Sequence, residues 1–144
     1  KKDLTRENLV EFSILYIMIF YGKAIQNSLE SISQITFSNS ENEKLKTSLI
    51  NLINTNREEK EIENEAIKIN SNLVSNVIEN TNLKLIVNKK NYEQIKELFE
   101  DFTNDLIEGQ NKKKIESLEK KLINNMEENA YSELLKLKNQ INRD

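Results

Sequence analysis

Two pairs of carboxylates, Glu61 with Glu65 and Glu97 with Asp101, stand four residues apart, the spacing that places side chains one above the other on a helix. Such a pair can hold a cation or share a proton when burial drives the two acids apart in proton affinity. On a polar helix face nothing does so, and the ordinary reading of both pairs is a solvated acidic surface. A second feature is the run Lys112, Lys113, Lys114, followed by Lys120 and Lys121 one to two turns later. If a helix begins near Asn111, three cations sit at the positive end of its dipole, each unfavourable by a few tenths of a kcal/mol. Positions that break a local rule point weakly to function. The five lysines are therefore the candidate contact for an acidic partner or a sulfated polysaccharide, set against the plainer reading of a solvated lysine-rich face.

The residues that are missing exclude more than those present suggest. The chain has no His and no Cys, which removes Cys or His nucleophilic triads, imidazole- or thiolate-bound zinc, haem, and the Glu-x-x-His di-iron sites of helical bundles. Gly109 ahead of Lys112 lacks both the spacing and the preceding strand of a phosphate-binding loop. No catalytic residue, metal or cofactor is expected. Charged residues make up 31% of the chain while the net charge is only -3, so both signs are dispersed and no long-range field favours nucleic acid.

The elements that must position these residues are helices. There is no Pro, and the only glycines are Gly22 and Gly109, so the tight turns of a sandwich or barrel would be hard to build. Leu, Ile, Val and Phe account for 44 of 144 residues, enough for a core. The expectation is one all-α domain over 1–144, an elongated, mostly antiparallel bundle of four or five helices around a central apolar first helix.

That first helix is predicted from Leu4 or Thr5 to about Ile35. Within it, residues 12–22 read FSILYIMIFYG and are apolar on every face, which places them in the middle of the bundle. The stretch from Leu9 to Tyr21 spans 13 residues and includes Glu11, too short for a membrane crossing of about 20. Phe12, Tyr16, Phe20 and Tyr21 read as core, with contact at a bundle end the other possibility. In SNSENE, residues 38–43, Ser40 and Glu43 have the spacing of a capping box. A second helix follows with Leu45, Leu49, Leu52 and Ile53 inward, up to the polar run Asn54, Thr55, Asn56. A third starts near Arg57 with Ile62, Ala66, Ile69, Leu73, Val77 and Ile78 at helical spacing. Residues 83–91 are read as helix or kinked connection. Tyr92, Ile95, Leu98, Phe99, Phe102, Leu106 and Ile107 define a fourth helix closed by Gly109 as C-terminal cap. The fifth, from about Asn111 to Ile141, has an eleven-residue apolar repeat at 115, 126 and 137 that suggests a long, fairly straight helix.

Abundant Asn, Lys, Ile and Glu, the absence of Cys, Pro, Trp and His, and a helical bundle behind the polar leader KKDLTREN together resemble the helical outer-surface lipoproteins of Borrelia spirochaetes. That resemblance is one of composition and architecture. It implies a non-enzymatic domain, lipid-anchored at the bacterial outer membrane through an N-terminal Cys and flexible leader ahead of residue 1, with a role in host interaction and immune evasion. It also implies a host protein or glycan as partner, of the complement or extracellular-matrix kind. The residues themselves leave two further readings open: a homo-oligomeric structural protein, a homodimer for instance, that buries its first helix between subunits, and an intracellular helical adaptor.

Overall fold

A computed structural model describes residues 4–81, 83, 91–125 and 128–141. Every regular element among them is helical: α1 (Arg6–Phe20), a 3-10 turn (Gly22–Ile25), α2 (Leu29–Ser33), α3 (Ser40–Asn54), α4 (Glu59–Asn80), α5 (Tyr92–Asn125) and α6 (Glu128–Ile141). The fold is an all-α helical bundle. Its contacts cluster into two compact units, Lys1–Thr103 and Asn104–Asp144.

In the first unit α1 packs against both α3 and α4, which also pack on each other. Thr5 starts α1 with a reciprocal cap: its hydroxyl accepts from the Asn8 amide at 3.0 Å, and the Asn8 side chain accepts from the Thr5 amide at 3.5 Å. Ile14, Leu15, Ile17, Met18 and Ile19 are completely buried. Most of the FSILYIMIFYG stretch is thus covered within its own chain, with Ser13, Phe20 and Tyr21 half-buried, and Leu9 ahead of it is exposed.

The helix does not run on to Ile35. It ends at Phe20, Tyr21 departs from helical geometry (φ -136°, ψ 36°), and the path continues through the 3-10 turn into the five-residue α2. Gly22 explains the place of the break. A β-carbon there would lie 3.1 Å from Ile53 Cγ1 and 3.4 Å from Ile62 Cδ1, so the backbone approaches α3 and α4 closely enough that any side chain would push Ile53 aside by a few tenths of an ångström. A straight helix of 30 residues would extend about 45 Å, past the roughly 22 Å of α3 and 33 Å of α4. Folded back, Ile25, Leu29, Ile32 and Ile35 are all buried instead.

α3 begins one residue earlier than the Ser40 signal suggests. Asn39 is its cap, accepting from the amides of Glu41 and Asn42 at 3.0 Å each. Leu45, Leu49 and Ile53 face the core as expected. The polar run after it is a turn in which Asn56 takes a left-handed conformation (φ 59°), which Asn tolerates better than most residues. In α4, Ile62, Ala66, Leu73 and Val77 are buried, but Ile69 and Ile78 are exposed. The cause is Asn70, extended at φ -160° and ψ 87°, whose side chain accepts from the Leu73 amide at 3.1 Å and starts the helix afresh. The register before this kink is not the register after it. Of the segment 83–91 anticipated as helix or connection, Leu83 is helical and buried, Asn91 lies just ahead of α5, and residues 84–90 lie outside the described residues.

Gly109 is no cap either. α5 passes through it without interruption from Tyr92 to Asn125, and a β-carbon at Gly109 would meet nothing within 4 Å. In the second unit, residues 104–125 of α5 and α6 lie alongside each other: Lys138 Nζ is 3.7 Å from Glu119 Oε1. Nineteen residues along one straight helix would separate them by about 28 Å. The expected single helix from Asn111 to Ile141 is therefore two segments, the end of α5 and α6, lying side by side.

Candidate functional site

The correction to α5 changes the setting of the lysines. Lys112 stands twenty residues inside a helix that starts at Tyr92, so the run does not oppose a helix N-terminus. It lies in the helix interior, several turns from either end, where the dipole neither opposes nor favours it. At roughly 100° per residue, the five lysines do not form one stripe. Lys113 with Lys120 and Lys114 with Lys121 make two adjacent rows, each pair separated by about 10.5 Å along the axis. Ser117 lies between the rows, and Gln110 and Asn124 continue the same face, so this side of α5 carries four lysines and no acid over 110–124. All four are exposed. Lys112 belongs to a different row, with Glu116, Glu119 and Ile123.

Lys112 instead lines a groove of about 330 Å³ within the second unit, together with Asn104, Ile107, Glu108, Asn111, Gln140 and Ile141. The apolar surface of this unit is incompletely covered. Among its described side chains Leu106 and Leu134 are buried, Ile107, Ile115, Leu118, Leu122 and Leu137 are half-buried, and Ile123 is 73% exposed.

The carboxylate pairs remain surface features. Glu61 lies 3.9 Å from Arg57 and Glu65 3.7 Å from Lys68, each partner one turn away; Glu65 is half-buried and the other three are exposed. Glu97 and Asp101 are exposed as well. No group of three or more metal-ligating side chains occurs among the described residues, and no described helix is long and apolar enough to cross a membrane.

The polar residues held most tightly lie in the core of the first unit, and sequence pattern did not single them out. Glu11 is completely buried on α1. Its Oε2 accepts from the Ser38 amide at 2.7 Å and the Ser38 hydroxyl at 2.9 Å, while Oε1 accepts from Asn42 Nδ2 at 2.9 Å. Beside this joint, Lys46 is 1% exposed. Its ammonium donates to the Ile35 carbonyl, pairs with Glu43 Oε1 at 2.8 Å and lies 5.0 Å from the centre of the Phe37 ring. Glu43 Oε1 also accepts from the Phe37 amide at 2.8 Å, so this acid clamps the approach to α3 rather than capping Ser40. Together the two groups tie residues 35–38 to α1 and α3. Each buried charge has its hydrogen bonds, the condition under which burial is tolerated. The signal available in the sequence was Glu11 itself, one acid at the edge of an apolar helix.

A third cluster is at the surface. Lys23 pairs with Glu58 at 3.2 Å, its amide donates to Glu59 at 3.3 Å, and the Tyr92 hydroxyl donates to Glu59 at 3.4 Å. Partial desolvation, and then the Glu59 charge and hydrogen bond, push the Tyr92 phenol above its usual range. No protein-family model, curated protein or solved structure matches the chain.

Proposed function

We propose that this chain is a non-enzymatic binding module that engages an acidic host protein or sulfated glycan through the four-lysine face of α5. The observation that carries the reading is the grouping of Lys113, Lys114, Lys120 and Lys121 on one exposed, acid-free side of a continuous helix. Two pairs of cations about 10.5 Å apart along the axis suit a partner with repeated anionic groups, and such contacts weaken as salt rises. Lys112 is outside this face. Display at a bacterial surface behind a lipidated leader is part of the proposal and is supported by the compositional resemblance. Cleavage of the protein by protease added to intact cells of its source is the expected sign of that location, and full protection speaks against it.

The binding test uses immobilised heparin and a panel of complement and matrix proteins. Wild-type chain is expected to bind at low salt and release as salt increases. The quadruple substitution of Lys113, Lys114, Lys120 and Lys121 by Glu should abolish binding without loss of helicity. Undiminished binding by that variant, or no binding to any member of the panel at low salt, overturns the reading.

A further inference from the structure

We infer that the ligand of the four-lysine face is a single strand of sulfated polysaccharide lying along α5 over Ser117, and that the face takes no folded acidic protein. This rests on the reading of that face as a ligand site and narrows its partner. Ser117 is the centre of the arrangement: Lys113 and Lys114 stand four and three residues before it, Lys120 and Lys121 three and four residues after it. Those are the four positions whose side chains neighbour residue 117 on a helix, with β-carbons about 5–6 Å away. All five residues are exposed. Two long cationic side chains thus stand at each end of a short hydroxyl, which leaves a saddle about 12 Å long from 113 to 121. A linear polyanion fits it lengthwise, its charged groups met by one pair of ammonium groups, then the Ser117 hydroxyl, then the second pair.

The chemistry of the face selects among polyanions. Apart from the lysines and Ser117 its residues over 110–124 are amides, and no aliphatic or aromatic side chain lies between or along the two rows. Interfaces between folded proteins are anchored by buried aromatic, aliphatic or Arg side chains and are poor in Lys, so a protein partner finds no anchor here. All four cations are Lys, compact point charges that suit dispersed sulfates, whereas planar two-pronged recognition of carboxylates belongs to Arg. Single-stranded nucleic acid is held by stacking on aromatic side chains, which the face lacks. A duplex carries one charge per about 1.7 Å of axis and would run past the lysines over a protein of net charge -3. A sulfated polysaccharide needs neither an apolar anchor nor a broad basic footprint. The nearest acid on α5 is Glu116, one turn from both Lys113 and Lys120 and on the side of that row away from Ser117. It flanks the saddle without entering it.

The test is titration of the full chain with fluorescently tagged heparin oligosaccharides at several salt concentrations. With four cations engaged, the logarithm of affinity should fall against the logarithm of salt with a slope of about -3. Ser117→Glu sets one carboxylate within reach of all four lysines and should weaken binding at least tenfold with helicity unchanged. Ser117→Ala should alter it less than twofold, and Glu116→Gln should strengthen it. Panel proteins held by the four lysines should be released when enzymes remove their sulfated glycans. Binding that survives this treatment and is lost in the quadruple Lys→Glu variant overturns the inference and leaves the ligand reading standing, because the partner is then an acidic protein. The inference also falls if heparin does not bind at low salt, if duplex DNA displaces it at a lower concentration of charge, or if Ser117→Glu binds it within twofold of wild type while the quadruple variant does not bind. Heparin binding that survives the quadruple substitution removes the ligand reading itself, and this inference with it.

Discussion

Replacing Glu11 by Ala and by Gln separates two effects of the buried carboxylate. Glu11→Ala removes the acceptor of three hydrogen bonds, from the Ser38 amide, the Ser38 hydroxyl and Asn42 Nδ2. The Asn42 donor then faces a cavity at a fully buried position, and the Ser38 groups of the exposed loop lose the acceptor that ties them to α1. Hydrogen bonds to a charged group contribute about 1.5–3 kcal/mol each, but the carboxylate also carries a desolvation cost of several kcal/mol. The net loss is therefore well below the sum, about 3–5 kcal/mol, as for other buried charged partners removed singly. Glu11→Gln has a different outcome. The Gln carbonyl can still accept from Ser38, and Asn42 Oδ1, a buried acceptor with no partner, can receive the Gln amide if the Asn42 amide turns over. That rearrangement keeps the Ser38 donors and the new Gln amide paired but turns Asn42 Nδ2 to the side where Oδ1 had no partner, so a loss of about 1–2 kcal/mol is expected. Urea unfolding followed by far-ultraviolet circular dichroism measures both. Against a typical total stability of about 5–15 kcal/mol, the Ala variant should show a much lower midpoint and the Gln variant a small shift. Equal losses for the two would refute the account in terms of satisfied donors. An Ala variant within about 0.5 kcal/mol of wild type, the range of ordinary surface changes, would refute the burial itself.

Gly109→Ala is expected to stabilise the chain by about 0.5–1 kcal/mol, because a helix-interior glycine gains from a side chain that meets nothing. A left-handed cap at that position would be destabilised by the same change, so the sign of the shift in thermal unfolding distinguishes the two. The phenols of Tyr92 and Tyr16 are both raised, the first by desolvation and then Glu59, the second by burial and then Tyr21. The folded state thus holds these protons more tightly than the unfolded state. Their contribution to stability is complete below about pH 10 and declines as pH rises through the folded values. Phenolate absorbance should show two late-titrating groups, one of them absent in Tyr92→Phe. A titration of that variant indistinguishable from wild type contradicts the Tyr92 environment.

The helical class was legible because it rests on residue types that break helices and are nearly absent, and because apolar spacing such as Leu45, Leu49, Ile53 survives folding unchanged. The two glycines show what was not legible. The spacing places Gly22 inside a helix and Gly109 at a helix end, and the structure reverses both. The difference is made by Ile53 and Ile62, distant in sequence, which crowd Gly22 and have no counterpart around Gly109. Ile69 was assigned inward by a period that Asn70 interrupts, and the interruption depends on a side chain that can cap the helix beyond it. The lysines were singled out for a conflict with a dipole end that does not exist, and what remains of the site is the grouping of four of them. The pairing of α5 with α6 left little trace, because an eleven-residue repeat fits one long helix as well as two facing ones. Glu11 and Lys46 look like ordinary charges, since the donors that make their burial tolerable come from the loop at residue 38 and the start of α3.

The Glu11 joint also bears on how α1 knows its place. A helix clad in Ile, Leu, Met and Phe on all sides is a nearly featureless cylinder, and a slip of one turn, about 5.4 Å, would trade one set of aliphatic contacts for another of similar worth. The carboxylate has no such freedom. Moved by a turn, it would lose all three of its donors and enter a hydrocarbon wall. One acid thereby acts as a locating pin, setting both the depth and the rotation of the central helix in a core whose oily surfaces would accept several.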